Sequence, residues 1–411
     1  MDFLKNIFTN KRTGDFSYRL VLDIGTEYLK AAMIEFNQTE RNILGFGRVR
    51  QDYGNMDGGA ITNINGVVKK ARQAIAKISQ TTPHQAKDLI CGIAGEFVKG
   101  ILVSQERERN NSAKRIDQRE LEQLINQGQE IAYQRAVRKV EQETGLSGIK
   151  LELINHSIVE VKVDGYRVND PEQFQGSNLN LTVFYSFAPF VQIGALRTIA
   201  RQLGYKLTAT VAEPFAVASS INKIESYEFG AIIIDIGGGT TDIALLRNGG
   251  IEGTRMFAMG GRAFTRTLAK NLNISLRAAE KLKLAYTRGE ELDNYRQIDY
   301  LLKGDLQIIY QGIELSLHEL ANGELLPGYI FFCGGGSALK GLVENFARLN
   351  LTEKLPLLQK PVIKVLDGAD LKGITDQTGL LKNVEHTTPR ALSYYGAGIK
   401  SKERSMIYLE G

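Results

Sequence analysis

The stretch Ile232-Ile233-Ile234-Asp235-Ile236-Gly237-Gly238-Gly239-Thr240-Thr241-Asp242-Ile243-Ala244-Leu245-Leu246 constrains this chain more than any other. Two apolar runs with strand character meet at three glycines and two threonines. The segment therefore reads as a hairpin whose tip carries little side-chain bulk. Such a tip lets backbone N–H groups close on an anion, and threonine hydroxyls add further donors. Asp235, at the end of the first arm, suits a hydrated Mg²⁺ carried by phosphates. Two aspartates bracketing the tip are more than a turn requires.

The same plan recurs in shorter form at Leu22-Asp23-Ile24-Gly25-Thr26, with Lys30 on the returning strand. Asp23 suits a cation, Gly25 and Thr26 suit a phosphate, and Lys30 reaches a phosphate as a point charge. Two like loops on duplicated domains predict one nucleotide clamped between them. A third loop, Phe332-Cys333-Gly334-Gly335-Gly336-Ser337, follows a buried strand and precedes a helix. Its glycines permit close contact with a purine or its ribose, at an electropositive helix start.

Around these loops, strands and helices alternate. Strands are expected at Leu29–Phe36 and Ile43–Val49 and a helix at Asn65–Ser79, ended by Thr81-Thr82-Pro83. From Asp88 the texture changes: a strand pair over Leu89–Val103 interrupted by Gly92 and Gly95, a polar loop at Gln105–Lys114, a long helix at Asp117–Glu143, and strands at Leu151–Val163 and Asn178–Ser186. That order reads as a small α+β insertion in an α/β chain. Alternation resumes with a helix at Val191–Gln202, a strand at Thr208–Ala212 and a helix at Pro214–Ile221. Helices follow at Arg262–Asn271, Ser275–Thr287, Leu339–Leu349 and Ala391–Lys400, with strands at Tyr329–Cys333 and Val362–Leu366.

Composition excludes several classes. With 411 residues, the chain has room for about two to four domains. No apolar stretch approaches the ~20 residues of a membrane span. The net charge of +5 is too weak to argue for nucleic acid. The two cysteines, Cys91 and Cys333, sit in apolar runs and read as buried thiols of a reduced compartment.

The three loops, in this order, resemble the actin-like ATPase superfamily. Ala212-Glu213-Pro214-Phe215-Ala216-Val217-Ala218-Ser219 and Pro389-Arg390-Ala391-Leu392-Ser393-Tyr394-Tyr395-Gly396-Ala397-Gly398 resemble its two connecting helices. The insertion narrows the likeness. Asn155-His156-Ser157-Ile158, the Val163-Asp164-Gly165 turn, Asp170-Pro171, and Gly58-Gly59-Ala60-Ile61-Thr62-Asn63-Ile64 are similar to the FtsA family of bacterial cell division proteins. His156 has no metal partner spaced near it and reads as structural.

The resemblance implies an actin-like, ribonuclease H-like duplicated α/β fold of two lobes with an inserted SHS2-type subdomain. The implied divisions are residues 15–87 and 189–225 for the first lobe, 88–188 for the insertion, 226–260 and 327–387 for the second lobe, 261–326 for its helical subdomain, and 388–411 for a returning helix and tail. ATP or ADP with Mg²⁺ would bind through Asp23, Gly25, Thr26, Lys30, Asp235, Gly237, Gly238, Gly239, Thr240, Thr241, Asp242, Gly260, Gly261, Gly334, Gly335, Gly336 and Ser337. Glu280 and Lys283 would lie on the ribose side, and Glu213 would orient the attacking water. Asp23 and Asp235 would hold Mg²⁺ through water.

Partners follow from the same resemblance. The FtsZ C-terminal tail would dock on the second lobe, where Arg262, Arg266 and Lys270 share a helix face. Self-association into filaments is implied, under the inner face of the cell membrane. Residues 1–14, with Phe3, Leu4, Ile7 and Phe8 on one helical face beside Lys5, Lys11 and Arg12, suit an anionic lipid surface, weakly per copy. The tail Ser401–Gly411 suits it poorly. Two other readings keep the fold. A PilM-like component of type IV pilus assembly is favoured by the termini and disfavoured by the Val-Asp-Gly and Asx-Pro pattern. An actin-fold phosphotransferase or chaperone lacks an evident sugar-kinase aspartate and a peptide-binding domain.

Overall fold

The computed structural model describes residues 16–93, 98–221, 230–247 and 250–399. The expected amphipathic segment at 1–14 and the tail Ser401–Gly411 therefore lie outside the described residues, apart from their sequence. Three antiparallel strands open the chain: β1 (Ser17–Ile24), β2 (Tyr28–Phe36) and β3 (Arg41–Arg50). Helix α1 (Ile64–Ser79) begins where the Asn63 side chain accepts the Gly66 N–H, and it buries a stripe of Val67, Val68, Ala71, Ala74 and Ile78. It carries the chain to β4 (Asp88–Ile93), parallel to β1.

The chain then leaves this sheet for a smaller one. β5 (Lys99–Glu108), α2 (Gln118–Thr144), β6 (Leu151–Val163) and β7 (Asn178–Pro189) form it, with β7 between β5 and β6 and the short strand Tyr166–Arg167 on the far edge of β6. α2 starts at a capping box of Asp117 and Glu120 and covers the sheet with Leu121, Leu124, Ile125, Ala132, Ala136 and Val140. The polar stretch expected to be loop from Gln105 is strand as far as Glu108, because β7 pairs with it out to Asn178 opposite Glu108. Ile131, on the same helix, is exposed.

α3 (Phe190–Leu203) and β8 (Lys206–Ala212), parallel to β4, complete the first lobe. α4 (Glu213–Ser220) follows. The second lobe is β9 (Ala231–Ile236), β10 (Thr241–Arg247), β11 (Gly250–Phe257), α5 (Gly261–Asn271), α6 (Leu276–Arg288), α7 (Tyr295–Ala321), β12 (Tyr329–Cys333), α8 (Leu342–Ala347) and β13 (Val362–Val365). α9 (Thr387–Gly398) is the last helix of the described chain.

The two main sheets share one plan. Their orders are β3-β2-β1-β4-β8 and β11-β10-β9-β12-β13, each an antiparallel meander followed by two parallel strands, and the first sheet adds the short strand Thr375–Asp376 parallel to β3 at its edge. α5 to α7 occupy the place in the second lobe that α1 holds in the first. α4 packs on β9 and β10, while α9 returns across β1 and β2. Their side chains Phe215, Ala216, Val217, Ala391 and Leu392 join Val21, Ile34 and Ile90 of one sheet to Ile233, Ala244 and Phe331 of the other in one core. The lobes thus meet through two short helices, and the loops at the strand ends face each other above them. Cys91 and Cys333 are both buried and free of disulfide.

Candidate functional site

The two hairpin tips and the third glycine loop open onto one cleft with about 240 Å³ of space, between the lobes. Asp23, Gly25, Thr26, Lys30, Glu213, Asp235, Gly237, Gly238, Thr240, Asp242, Gly261, Glu280, Lys283, Gly334, Gly335 and Gly336 all line it. Residues separated by more than 300 positions therefore converge because the sheet plan occurs twice. Gly239, Thr241, Gly260 and Ser337 do not line it. The Thr241 hydroxyl donates to the Met259 carbonyl at 2.8 Å, and that of Ser337 to the Cys333 carbonyl at 2.5 Å. The first ties the second hairpin to the segment before α5, and the second braces its own loop.

The first amides of α5 are bonded to the second hairpin: Gly261 N–H to the Gly237 carbonyl at 2.9 Å and Arg262 N–H to the Gly238 carbonyl at 2.7 Å. Gly260 permits the approach, since a Cβ there would stand 2.6 Å from the Gly237 oxygen. Gly334 is required twice over. Its φ of +82° is left-handed, and a Cβ would fall 2.0 Å from Asp235 Oδ1.

Carboxylates dominate the end of the cleft between the hairpins. Lys30 Nζ donates to Asp23 Oδ2 at 2.8 Å, with Asp23 almost fully buried. Asp235 Oδ2 accepts the Thr388 hydroxyl at 2.7 Å from the first turn of α9. Burial raises the Asp235 carboxyl above its usual range, with the nearby Asp23 adding to this, while Thr388 and Lys30 oppose it. Glu213 is raised well above the usual range, by burial first and then by Asp23, Asp235 and Asp242. Gly92, expected to interrupt a strand, lies inside β4 and makes room for this side chain: a Cβ there would stand 2.9 Å from Glu213 Oε1 and 2.6 Å from Leu392 Cδ1. Burial, Asp235 and Asp242 push the Cys333 thiol well up, so it is a poor nucleophile.

On the α6 side, Lys283 Nζ lies 2.8 Å from Glu280 Oε2 and donates to the Gly261 carbonyl and Thr265 Oγ1, each at 3.0 Å. Burial disfavours the charged Glu280, but Lys283 and Thr265 outweigh it and hold the carboxyl below its ordinary range. Leu284, Thr287, Phe264, Ala338 and Leu339 line the same end, giving a flat group an apolar seat.

Several cleft residues escaped sequence reasoning: Glu27, Arg48, Thr388 and Glu385 among them. Glu27 directly follows Gly25-Thr26 and Thr388 directly precedes the second connecting motif, so adjacency was the available signal. Arg262 is corrected. It does not share a solvent face with Arg266 and Lys270, because its side chain is buried against Glu27 of the first lobe at 2.8 Å. Arg266 and Lys270 are exposed. Among the described residues, no group of three or more His, Cys, Asp and Glu is arranged to hold a metal, and no helix is long and apolar enough to cross a membrane.

Comparison with known proteins finds likeness in sequence and in fold. The family model of cell division protein FtsA matches residues 232–388. FtsA of Streptococcus pneumoniae is 23% identical over 343 residues, covering 79% of this chain and 71% of the relative. FtsA of Pseudomonas aeruginosa is 24% identical over 426 residues, covering 94% and 90%. Among solved structures, the PilM–PilN type IV pilus biogenesis complex contains a chain that superposes with a TM-score of 0.65 at 17% identity, covering 93% of this chain and 99% of that one.

Proposed function

From an FtsA-like sequence on an actin-like two-lobe fold, we propose that this chain is an ATP-binding cell division protein that polymerises beneath the membrane and recruits the FtsZ ring. The observation that carries the nucleotide reading is the convergence of two hairpins from duplicated sheets on one cleft, each with an aspartate at the end of its first strand. The FtsA relatives carry the cellular reading.

The residues fit a nucleotide with a divalent cation. Gly25, Thr26, Gly237, Gly238 and Thr240 leave backbone space for phosphates, and Lys30 supplies charge. Asp23, Glu213, Asp235 and Asp242 would repel a bare polyphosphate, so the anion is expected to bring a cation with it. Asp23 and Asp235 would hold Mg²⁺ through water, and the ion would neutralise charge on the phosphates. Glu280 and Lys283 would take the ribose, and Gly334, Gly335 and Gly336 would lie against the nucleoside. Glu213 would orient a water toward the terminal phosphate, which supports slow, regulatory hydrolysis. A nucleotide touching both hairpins would favour the closed lobes, and closure would favour the filament.

Arg266 and Lys270 present the second lobe's basic face to an acidic FtsZ tail. Attachment to lipid through Phe3, Leu4, Ile7 and Phe8 rests on the sequence. Co-sedimentation with anionic vesicles tests the assembly. Mg²⁺·ATP-dependent pelleting and filaments are expected, and their absence contradicts it. The fold likeness to PilM favours a second reading, a pilus-assembly component. Binding of a pilus-protein peptide in place of an FtsZ-tail peptide would select it.

A further inference from the structure

Arg262 ties the tips of both hairpins. Its backbone N–H serves the Gly238 carbonyl of the second, as described above. Its guanidinium crosses to the first lobe, where Nη2 donates to the Thr26 carbonyl at 2.5 Å and Nε to Glu27 Oε2 at 2.8 Å. The Tyr53 ring, also of the first lobe, has its centroid 4.8 Å from this guanidinium. Glu27 is held in turn: its other oxygen accepts Arg50 Nε at 2.6 Å, and its carbonyl accepts the Gln51 N–H at 2.9 Å. The side chains of Arg262 and Glu27 are only 9% and 14% exposed, so solvent screens them little.

Two glycines make the approach possible. A Cβ on Gly238 would stand 2.8 Å from Glu27 Cβ, and one on Gly239 would stand 3.0 Å from the Thr26 side chain. The tips are therefore in direct contact, with the ion pair beside them. One partner comes from each lobe, so the bonds exist when the lobes are closed and are lost when they part. A contact made in one of two arrangements biases the protein toward that arrangement.

We propose that Arg262 and Glu27 form an interlobe latch, a positioning pair that holds the two hairpin tips together and sets how long a nucleotide stays between them. The nucleotide half rests on the reading above; the latch itself does not. Neither residue takes part in chemistry. Arg262 acts through the Thr26 carbonyl and the Gly238 carbonyl, fixing the loops that would carry the phosphates. Arg50 keeps Glu27 aimed across the cleft.

The test compares the wild-type chain with R262Q, E27Q, R262K and the R262Q/E27Q double variant. Backbone hydrogen exchange at residues 25–28 and 237–240 is read without ligand, and dissociation of a fluorescent ATP analogue is read separately. Exchange there is expected to quicken about 10-fold or more in R262Q and E27Q, less in R262K, with the double variant close to the single ones. Analogue dissociation is expected to quicken about 10-fold or more in the same order. Unchanged exchange in R262Q and E27Q overturns the latch, as does a double variant that shows the sum of two independent effects. Quickened exchange in a protein that binds no nucleotide upholds the latch and overturns the nucleotide reading. If R262Q does not fold, E27Q and R262K carry the same comparison.

Discussion

The hairpins of the two lobes share a backbone and differ in charge. Across β1 and β2, Asp23 stands opposite Lys30 and is bonded to it. Across β9 and β10, the equivalent residue Asp235 stands opposite Asp242. The first hairpin satisfies its carboxylate within its own lobe. The second places two carboxylates where the first has an ion pair, and Asp235 draws on Thr388 from the returning helix. The loop geometry repeats and the side chains differ. The first hairpin is complete as an ion pair, while the second sets two carboxylates side by side, each accepting a threonine hydroxyl.

The largest effect should come from breaking the complete half. Lys30→Met leaves Asp23 buried without its cation, which is expected to cost about 3–5 kcal/mol in urea unfolding. A loss below about 1 kcal/mol would show that the ion pair does not hold the first hairpin.

Next comes Glu213, which feels the crowding of carboxylates. Its carboxyl lies well above the ordinary 4.5 when folded. Below that ordinary value both folded and unfolded chains hold the proton, and nothing is lost. As pH rises the unfolded chain ionises first, so folding is progressively penalised until pH passes the folded value. Glu213→Gln removes the penalty and is expected to stabilise the ligand-free protein by about 1–3 kcal/mol at pH 8, with little change at pH 4. Equal stability at both pH values would contradict the electrostatic account. Under the proposed function the same variant slows ATP hydrolysis.

The comparison explains what the sequence could reveal. The hairpins were legible because apolar runs meeting at glycines carry their own local signal, and the β9–β10 register follows from equal arms around the tip. Gly92 misled because glycine in a strand marks either a break or a close approach, and only Glu213 and Leu392, distant in sequence, decide which. Arg262 shared a helical period with Arg266 and Lys270, yet Gly260 and Gly261 seat the first turn of α5 against the second hairpin and turn that residue into the cleft. Helix α7 went unassigned although Ile298, Leu302, Leu306, Ile309, Ile313 and Leu317 form a buried stripe at helical spacing. Its signal was present in full.

The smallest effect concerns the outer face of the second lobe, which the first lobe's place for α1 does not reproduce. Arg266→Glu with Lys270→Glu is expected to weaken binding of an FtsZ-tail peptide about 10-fold, with stability within about 0.5 kcal/mol of wild type. Unchanged peptide affinity by fluorescence anisotropy would move the docking site elsewhere.

The difference between the hairpins is tested most directly by titrating ATP into the protein calorimetrically, with and without Mg²⁺, for the wild-type chain and for Asp235→Asn. The account predicts binding at least about 10-fold tighter with Mg²⁺ in the wild type, and a loss of most of that advantage in the variant. Wild-type binding that is equal with and without Mg²⁺, or absent in both, would contradict it.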